Sequence, residues 1–323
     1  MKDLKGRDIE YVRISVTDRC NLRCIYCMSR EGVNYLPHED LLSYQEIIRV
    51  VHCMTALGLK SVRLTGGEPM ARRGCLDLVR MLGEIDGVLR ISMTTNGILM
   101  RGSMLRAVQA GLNALNISVD SLDPVIFSQI TRGGDVRDVL ASIDEALEAG
   151  LKVKINSVPI SGCNEEGLEK VAALAQKLPV DVRFIELMPV GYGAMLQYIP
   201  ADTVKKRIEA FFGPLEPDSQ RHGDGPAVYY KPSGFKGSIG FIGAVSHEFC
   251  DRCNRVRITP EGLLKLCLNH LKGLDLRELL RSGISDEMLT EHIREAVRNK
   301  PANHGFNEPV KDRETRSMNQ IGG

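Results

Sequence analysis

Three cysteines fall in one short stretch near the N-terminus, Cys20-Asn21-Leu22-Arg23-Cys24-Ile25-Tyr26-Cys27. Spaced so closely, they can wrap one metal centre but cannot all pair with one another as disulfides. An iron–sulfur cube ordinarily takes four cysteine thiolates. Three leave one iron without a protein ligand, and an open metal position is where chemistry happens, as it is at zinc. A structural zinc with its fourth ligand elsewhere would use the same thiols, so this stretch alone leaves both centres open. A second group follows in Cys250-Asp251-Arg252-Cys253 and then Cys267. A zinc ribbon wants two close pairs and only one is present, although His247 and His270 are near enough in sequence to complete a zinc site. Two separate three-thiol groups in one chain fit two clusters, each with a vacant iron, better than two structural zincs. Cys53, Cys75 and Cys163 read as core or surface thiols.

These loops need elements to hold them. The first group follows a strand read from Tyr11 to Val16. Ser43-Tyr44-Gln45-Glu46 is a capping box opening an amphipathic helix that stops at Gly58. Strand-like runs at 61–64, 90–94, 114–119, 152–158 and 181–187 alternate with helical runs at 75–85, 103–110, 136–149 and 164–177. The junctions Leu57-Gly58-Leu59-Lys60, Ala110-Gly111-Leu112-Asn113 and Ala149-Gly150-Leu151-Lys152 repeat one punctuation, a helix stopping on glycine before a β-rich run. That is the pattern of βα units on a parallel sheet. Six units predict a partial TIM-like barrel of α/β class with its chemistry on loops at the carboxyl ends of strands. Thr65-Gly66-Gly67-Glu68-Pro69, Thr94-Thr95-Asn96-Gly97 and Ser118-Val119-Asp120-Ser121 all lie at such ends.

After about Gly191 the pattern changes. A helix over 203–212 gives way to short strands at 227–231, 238–242, 256–259 and 263–267, with helices at 276–281 and 286–299. The chain is therefore expected to divide into a barrel over residues 1–190 and a β-rich C-terminal extension over 191–323 that covers the barrel's open side. The tail from Lys300 to Gly323 is polar and reads as mobile when nothing is bound.

Composition excludes several classes. The 323 residues carry 42 basic and 41 acidic side chains, a net charge of +1. No bulk field calls for nucleic acid or an anionic membrane, so anions must be recognised by local arginines. No apolar run approaches bilayer length and no signal-peptide core follows Met1. A cytoplasmic location is expected, where nine cysteines serve as metal ligands or spare thiols rather than disulfides.

With both thiol groups in view, the chain resembles the radical S-adenosylmethionine enzymes, through the first cysteine group with Tyr26 before Cys27 and through Gly66-Gly67-Glu68-Pro69. More narrowly it is similar to the GTP 3′,8-cyclase family of molybdenum cofactor biosynthesis, through Cys250-Asp251-Arg252-Cys253-Asn254-Arg255-Val256-Arg257, Cys267 and the terminal Gly322-Gly323. The resemblance implies a [4Fe–4S] cluster on Cys20, Cys24 and Cys27, whose free iron is chelated by S-adenosylmethionine. Cleavage of a carbon–sulfur bond would give a 5′-deoxyadenosyl radical. Tyr26, Gly67, Ser118 and Met188 would touch S-adenosylmethionine. A bare Gly-Gly turn would let a ligand approach the backbone closely, and Glu68 could meet its ammonium. A second cluster on Cys250, Cys253 and Cys267 would bind the guanine of GTP. The family likeness assigns Arg13, Arg63, Thr94, Lys154, Arg183, Arg255, Val256 and Arg257 to GTP.

Physics agrees with that assignment. Cations scattered over several parallel strands converge only inside a barrel, where their burial is too costly unless an anion compensates. A triphosphate is such an anion, and planar guanidinium groups suit it. Gly322 and Gly323, with no side chains, could slide into a narrow catalytic cavity. The family would further imply a flavodoxin- or ferredoxin-like reductant, a downstream cyclic pyranopterin monophosphate synthase and a homodimer. Three positions depart from the family pattern: Ser61 for a common lysine, Ala244 for a usual proline and Asn319 for a usual serine. Two rivals remain at this stage. One is a different radical enzyme with an auxiliary cluster, such as a peptide maturase or haem-modifying enzyme; the other is a non-enzymatic iron–sulfur electron-transfer protein.

Overall fold

A computed structural model describes residues 1–220, 222–306 and 313–323. Its first half is an unbroken succession of βα units. The strands are β1 (Tyr11–Ser15), β2 (Ser61–Thr65), β3 (Arg90–Thr95), β4 (Ala114–Ser118), β5 (Lys152–Ser157) and β6 (Asp181–Ile185). Between them run α1 (Tyr44–Ala56), α2 (Cys75–Gly83), α3 (Met104–Gln109), α4 (Pro124–Thr131), α5 (Val136–Glu148) and α6 (Leu168–Lys177). The Ser43 hydroxyl accepts from the Glu46 N–H and the Glu46 carboxylate accepts from the Ser43 N–H, the reciprocal cap expected for α1. Gly58, Gly111 and Gly150 all have positive φ at the expected helix ends. The helix α4 was not expected, although Asp123 caps it and Pro124 occupies its first turn.

The second half supplies α7 (Ala201–Phe212), β7 (Leu215–Pro217), β8 (Val228–Pro232), β9 (Ile239–Ile242), β10 (Arg255–Ile258), β11 (Leu263–Lys265), β12 (Gly273–Asp275), α8 (Leu276–Arg281), α9 (Asp286–Arg298) and α10 (Met318–Ile321). It does more than cover an open side. Strand β9 pairs parallel with β6, and β10 pairs parallel with β1. The parallel run is thus β10-β1-β2-β3-β4-β5-β6-β9, extended by antiparallel β11-β12 at one edge and β8-β7 at the other. The boundary anticipated near residue 190 falls inside this one sheet.

Alternation sorts the strand residues into two environments. Val12, Ile14, Val62, Leu64, Met93, Leu115, Ile117, Val153, Ile155, Val182 and Phe184 belong to one buried apolar cluster that includes the helices. Each such side chain contributes on the order of 1.5–3 kcal/mol by leaving water. The alternate residues, among them Tyr11, Arg13, Arg63, Ser92, Asn116, Lys154 and Arg183, lie on the concave face. The barrel interior is therefore polar and cationic, whereas a closed TIM barrel fills its interior with branched apolar side chains.

The tail differs from expectation. From Arg313 onward most of the described residues are at least partly buried: Asn319 is 1% and Ile321 0% exposed. Ile321 joins Val190, Leu268 and Phe306 in a small apolar cluster, while Lys265 and Glu314 form a wholly buried ion pair. Residues 307–312 of that tail lie outside the described residues.

Candidate active site

The parallel register places the two thiol groups at opposite ends of one barrel. Cys20, Cys24 and Cys27 follow β1 and lie at the carboxyl ends of the strands. Cys253 precedes β10, which runs parallel to β1 with Tyr11 opposite Arg255, so the second group lies at the amino ends. Cys250 occupies a short 3-10 turn, and Cys267 follows β11, whose antiparallel course returns it to the same end. Between the two groups stands the height of the strands, about 15 Å at ~3.3 Å per residue.

The first loop is held from three sides. The N–H groups of Arg23 and Ile25 donate to Thr131 and Ile130 at the end of α4 (3.0 and 2.9 Å). The N–H groups of Gly67 and Glu68 donate to the carbonyls of Thr17 and Arg19 (2.7 and 2.8 Å). A Cβ on Gly67 would stand 2.4 Å from the Arg19 carbonyl oxygen, and one on Gly66 would stand 2.7 Å from that of Thr17. The expected close approach is therefore made by the chain's own cysteine loop, which fills the side a Cβ would take. Glu68 is likewise placed differently. It is fully buried, and its two oxygens accept from Thr95 Oγ1 (2.8 Å), Asn96 N–H (2.8 Å) and Met70 N–H (3.2 Å). That ties the loops after β2 and β3 together. Burial pushes its carboxyl up to about 7.

Tyr26 donates its hydroxyl to Asp120 at 2.6 Å. Burial raises Asp120 to about 6, while that hydrogen bond and the Val158 N–H oppose the rise. Burial also pushes the Cys20 thiol up to about 11 and Cys27 to about 12, and raises Cys24 with help from Cys27 and Asp120. The Asn319 backbone offsets part of the rise at Cys27, and the Asn319 side-chain amide donates to the Asp18 carbonyl at 2.8 Å. The tail is thus built into the first cysteine loop. Its tip runs on inward: Arg257 donates to the Gly322 carbonyl at 2.6 Å. A Cβ on Gly322 would meet Ser15 and Thr65 at 2.8 Å. Gly323 follows at the exposed chain end. Ser118 ends β4, and Met188 packs beside the small apolar cluster that holds the tail.

The arginines converge as the charge argument requires. Arg257, Arg13 and Arg63 are register neighbours on three adjacent strands. Burial lowers Arg63 to about 9, with Arg13, Arg183 and Arg255 repelling it further. Burial also lowers Arg257 far below its ordinary value, with Arg13 and Arg255 adding to the effect. At the centre is Tyr11, which sequence reasoning missed. Burial alone would raise its hydroxyl, but Arg13, Arg63 and Arg255 pull it below the usual value. Arg13 Nε donates to that hydroxyl at 3.2 Å, and the Arg63 guanidinium lies 5.3 Å from the ring centre. The available signal was position: Tyr11 precedes Arg13 by two residues and shares its strand face. Arg183 donates to Asn116 Oδ1 at 2.5 Å, and Lys154 donates to Tyr229 Oη at 3.2 Å. Thr94 stands opposite Asn116 on the same face. Val256 is the exception among the expected substrate residues. Its side chain is 1% exposed within the outer apolar cluster, because strand alternation turns it away from Arg255 and Arg257.

At the second thiol group Cys253 differs from the others. Burial would raise it, yet Arg255 and Lys300 hold it down at about 7. The Arg7 guanidinium donates to the carbonyls of Cys250 (2.8 Å), Ala302 (3.1 Å) and Pro301 (2.6 Å), fastening this loop to the C-terminal segment. The zinc alternative loses one of its two histidines, since His247 is exposed and bonded to Asp202 at 2.9 Å. The cysteines of both groups are free of disulfides, and three thiols at each end fit iron–sulfur clusters; at the second group Glu248 and His304 also bring ligand atoms within 4.8 Å of Cys250. Arg183 Nε and Arg255 Nε are buried with no hydrogen-bond partner among the described residues, which fits an anion taken between them.

A parallel sheet with a three-cysteine loop after its first strand defines the class. The sequence profile of the Radical SAM superfamily matches residues 14–175, and that of Molybdenum Cofactor Synthesis C matches residues 180–306. The fold is similar to Streptococcus suis SuiB bound to S-adenosylmethionine, with TM-score 0.63, 17% identity, and coverage of 89% of this chain and 68% of that one. Among curated proteins the chain is 43% identical over 323 residues to the GTP 3′,8-cyclase of Clostridium perfringens (strain SM101 / Type A). It is 44% identical over 327 residues to that of Thermodesulfovibrio yellowstonii. Both alignments cover 100% of each chain. The chain belongs to the GTP 3′,8-cyclase family.

Proposed function

We propose that the chain is a lyase that cyclises GTP to (8S)-3′,8-cyclo-7,8-dihydroguanosine 5′-triphosphate, the first step toward molybdopterin. The observation that carries this is one cationic barrel interior with a three-cysteine group at each end. Cys20, Cys24 and Cys27 would hold the [4Fe–4S] cluster that takes S-adenosylmethionine, with Tyr26, Gly67, Ser118 and Met188 around it. Cys250, Cys253 and Cys267 would hold a second cluster at the guanine. When bound, S-adenosylmethionine on a reduced cluster supplies hydrogen-atom abstraction from an unactivated carbon.

This chain's own residues do the positioning. Both reacting atoms, ribose C3′ and guanine C8, belong to one substrate, so the task is to hold GTP folded between the two ends of the barrel. Arg13, Arg63, Lys154, Arg183, Arg255 and Arg257 neutralise the triphosphate and orient it, with Thr94 beside them. Gly322 and Gly323 close the cavity near Arg257 and exclude water. Among the described residues no helix is long and apolar enough to cross a membrane. We place the protein in the cytoplasm, as a homodimer served by a flavodoxin- or ferredoxin-like reductant and followed by a cyclic pyranopterin monophosphate synthase.

Anaerobic turnover of the cluster-loaded protein with GTP, S-adenosylmethionine and a strong reductant tests the reading. The expected products are 5′-deoxyadenosine and a cyclised nucleotide in equal amounts. Deoxyadenosine formation that is indifferent to GTP would overturn it.

A further inference from the structure

We propose that Arg90 is a further phosphate-binding residue of this barrel, held by Asp224 until the terminal phosphate of the substrate takes the carboxylate's place. The proposal rests on the GTP reading above and adds to it a residue outside the arginine set already described.

Ser61 and Arg90 open the neighbouring strands β2 and β3 and stand opposite each other in register. One carboxylate joins them. Asp224 Oδ2 accepts from Ser61 Oγ at 2.7 Å and from Arg90 Nε at 3.0 Å, while Oδ1 accepts from the second Arg90 nitrogen at 3.0 Å. A two-pronged guanidinium with an adjacent hydroxyl is the donor set that a phosphate takes equally well. Asp224 is turned inward, its side chain 13% exposed against 41% for Arg90.

The segment around Asp224 meets the next cations along the same barrel end. The His222 carbonyl accepts from Lys154 Nζ. A Cβ on Gly225 would lie 3.9 Å from a terminal nitrogen of Arg183. One short segment therefore sets a carbonyl against Lys154, a carboxylate against Arg90 and the Gly225 backbone beside Arg183. Cations gathered in a barrel need a counter-anion, and Asp224 supplies one. It can also withdraw: it is flanked by Gly223, with φ of +101°, and by Gly225. A cavity of about 240 Å³ separates Gly223, Asp224 and Pro226 from Phe249, Arg252 and Arg255 beside the second thiol group. That gives the segment room to move on the side where a nucleotide would lie.

If the Asp224–Arg90 pair were a purely structural latch, replacing Arg90 would change the affinity for every nucleotide alike. Phosphate competition makes the effect of that replacement grow with phosphate number. The test is anaerobic equilibrium dialysis of the full-length, cluster-loaded protein with GTP, GDP, GMP and inorganic tripolyphosphate. Arg90→Gln is expected to weaken GTP and tripolyphosphate about tenfold, the size of a lost charge-assisted pair, while GMP changes less than about twofold. Asp224→Asn is expected to tighten GTP several-fold, and the double variant to lose that gain. Arg90→Lys, which keeps the charge without the fork, is expected to retain part of the preference for GTP over GMP and guards against misfolding of the other variants. Equal effects on all nucleotides, or weaker GTP binding by Asp224→Asn, would overturn the proposal. If the unmodified protein bound tripolyphosphate but not GTP, the GTP reading would fall and the Arg90 proposal would stand. Binding of neither would sink both.

Discussion

Tyr11 sits where three guanidinium groups meet, and Arg13, Arg63 and Arg255 together pull its hydroxyl below the usual value despite its burial. Removing one member of that group should be felt in substrate affinity more than in folding. Arg257→Ala is expected to weaken GTP binding about tenfold or more, the loss of a charge-assisted contact. Iron content at the first cysteine group should be unchanged, and unaltered affinity would refute the role given to Arg257. The Tyr26–Asp120 pair gives a second test. Tyr26→Phe removes a hydrogen bond that favours the charged carboxylate, so Asp120 should titrate above about 6. Infrared difference spectroscopy of its carboxyl band would measure this. The folded state holds that proton more tightly than the unfolded chain, whose reference is 3.8. Asp120 therefore contributes a loss of stability as pH rises from about 4 to about 6, and a level contribution above that. Strand-borne Arg13, Arg63, Lys154 and Arg183 could be read from sequence because charge in a buried strand needs a reason. Val256 and Glu68 could not be placed, since strand phase and the partner of a buried carboxylate depend on neighbours distant in the chain.

At the scale of elements, the Gly66-Gly67 turn and the cysteine loop form one unit. Gly67→Ala would drive a methyl group into the Arg19 carbonyl at 2.4 Å. The expected outcome is a cysteine loop displaced from its template, about 1–3 kcal/mol of lost stability and a fall in iron bound at that end. Full iron loading by chemical analysis would show that the turn does not template the loop. The main βα alternation, the Ser43–Glu46 cap and the glycine stops were legible because each is local chemistry. The three-residue strands β7 and β12 were not, since so short a pairing is decided by its partner strand. The order in the tail was equally hidden. Its polarity suggests mobility, while its packing comes from Val190, Leu268 and Phe306, which are spread over the second half of the sequence.

At the scale of the whole molecule, the two sulfur triads stand at opposite barrel ends and share no element. Cys24→Ser and Cys253→Ser should therefore each lose about half of an expected ~8 irons per chain, four per cube, and leave the other centre spectroscopically intact. Electron paramagnetic resonance of the reduced variants would distinguish the two signals. Collapse of both centres in either variant would mean that they are not independent.

The polar lining has a further consequence, for the assembly of the protein. Gathering like charges on one concave surface opposes folding, so the barrel is poised to draw on whatever polyanion is at hand. Millimolar tripolyphosphate should raise the midpoint of thermal unfolding, and by more at low ionic strength than at high. The cell's own pool of nucleotides would then act on this enzyme twice, first as a mould for its interior and only afterwards as its feedstock.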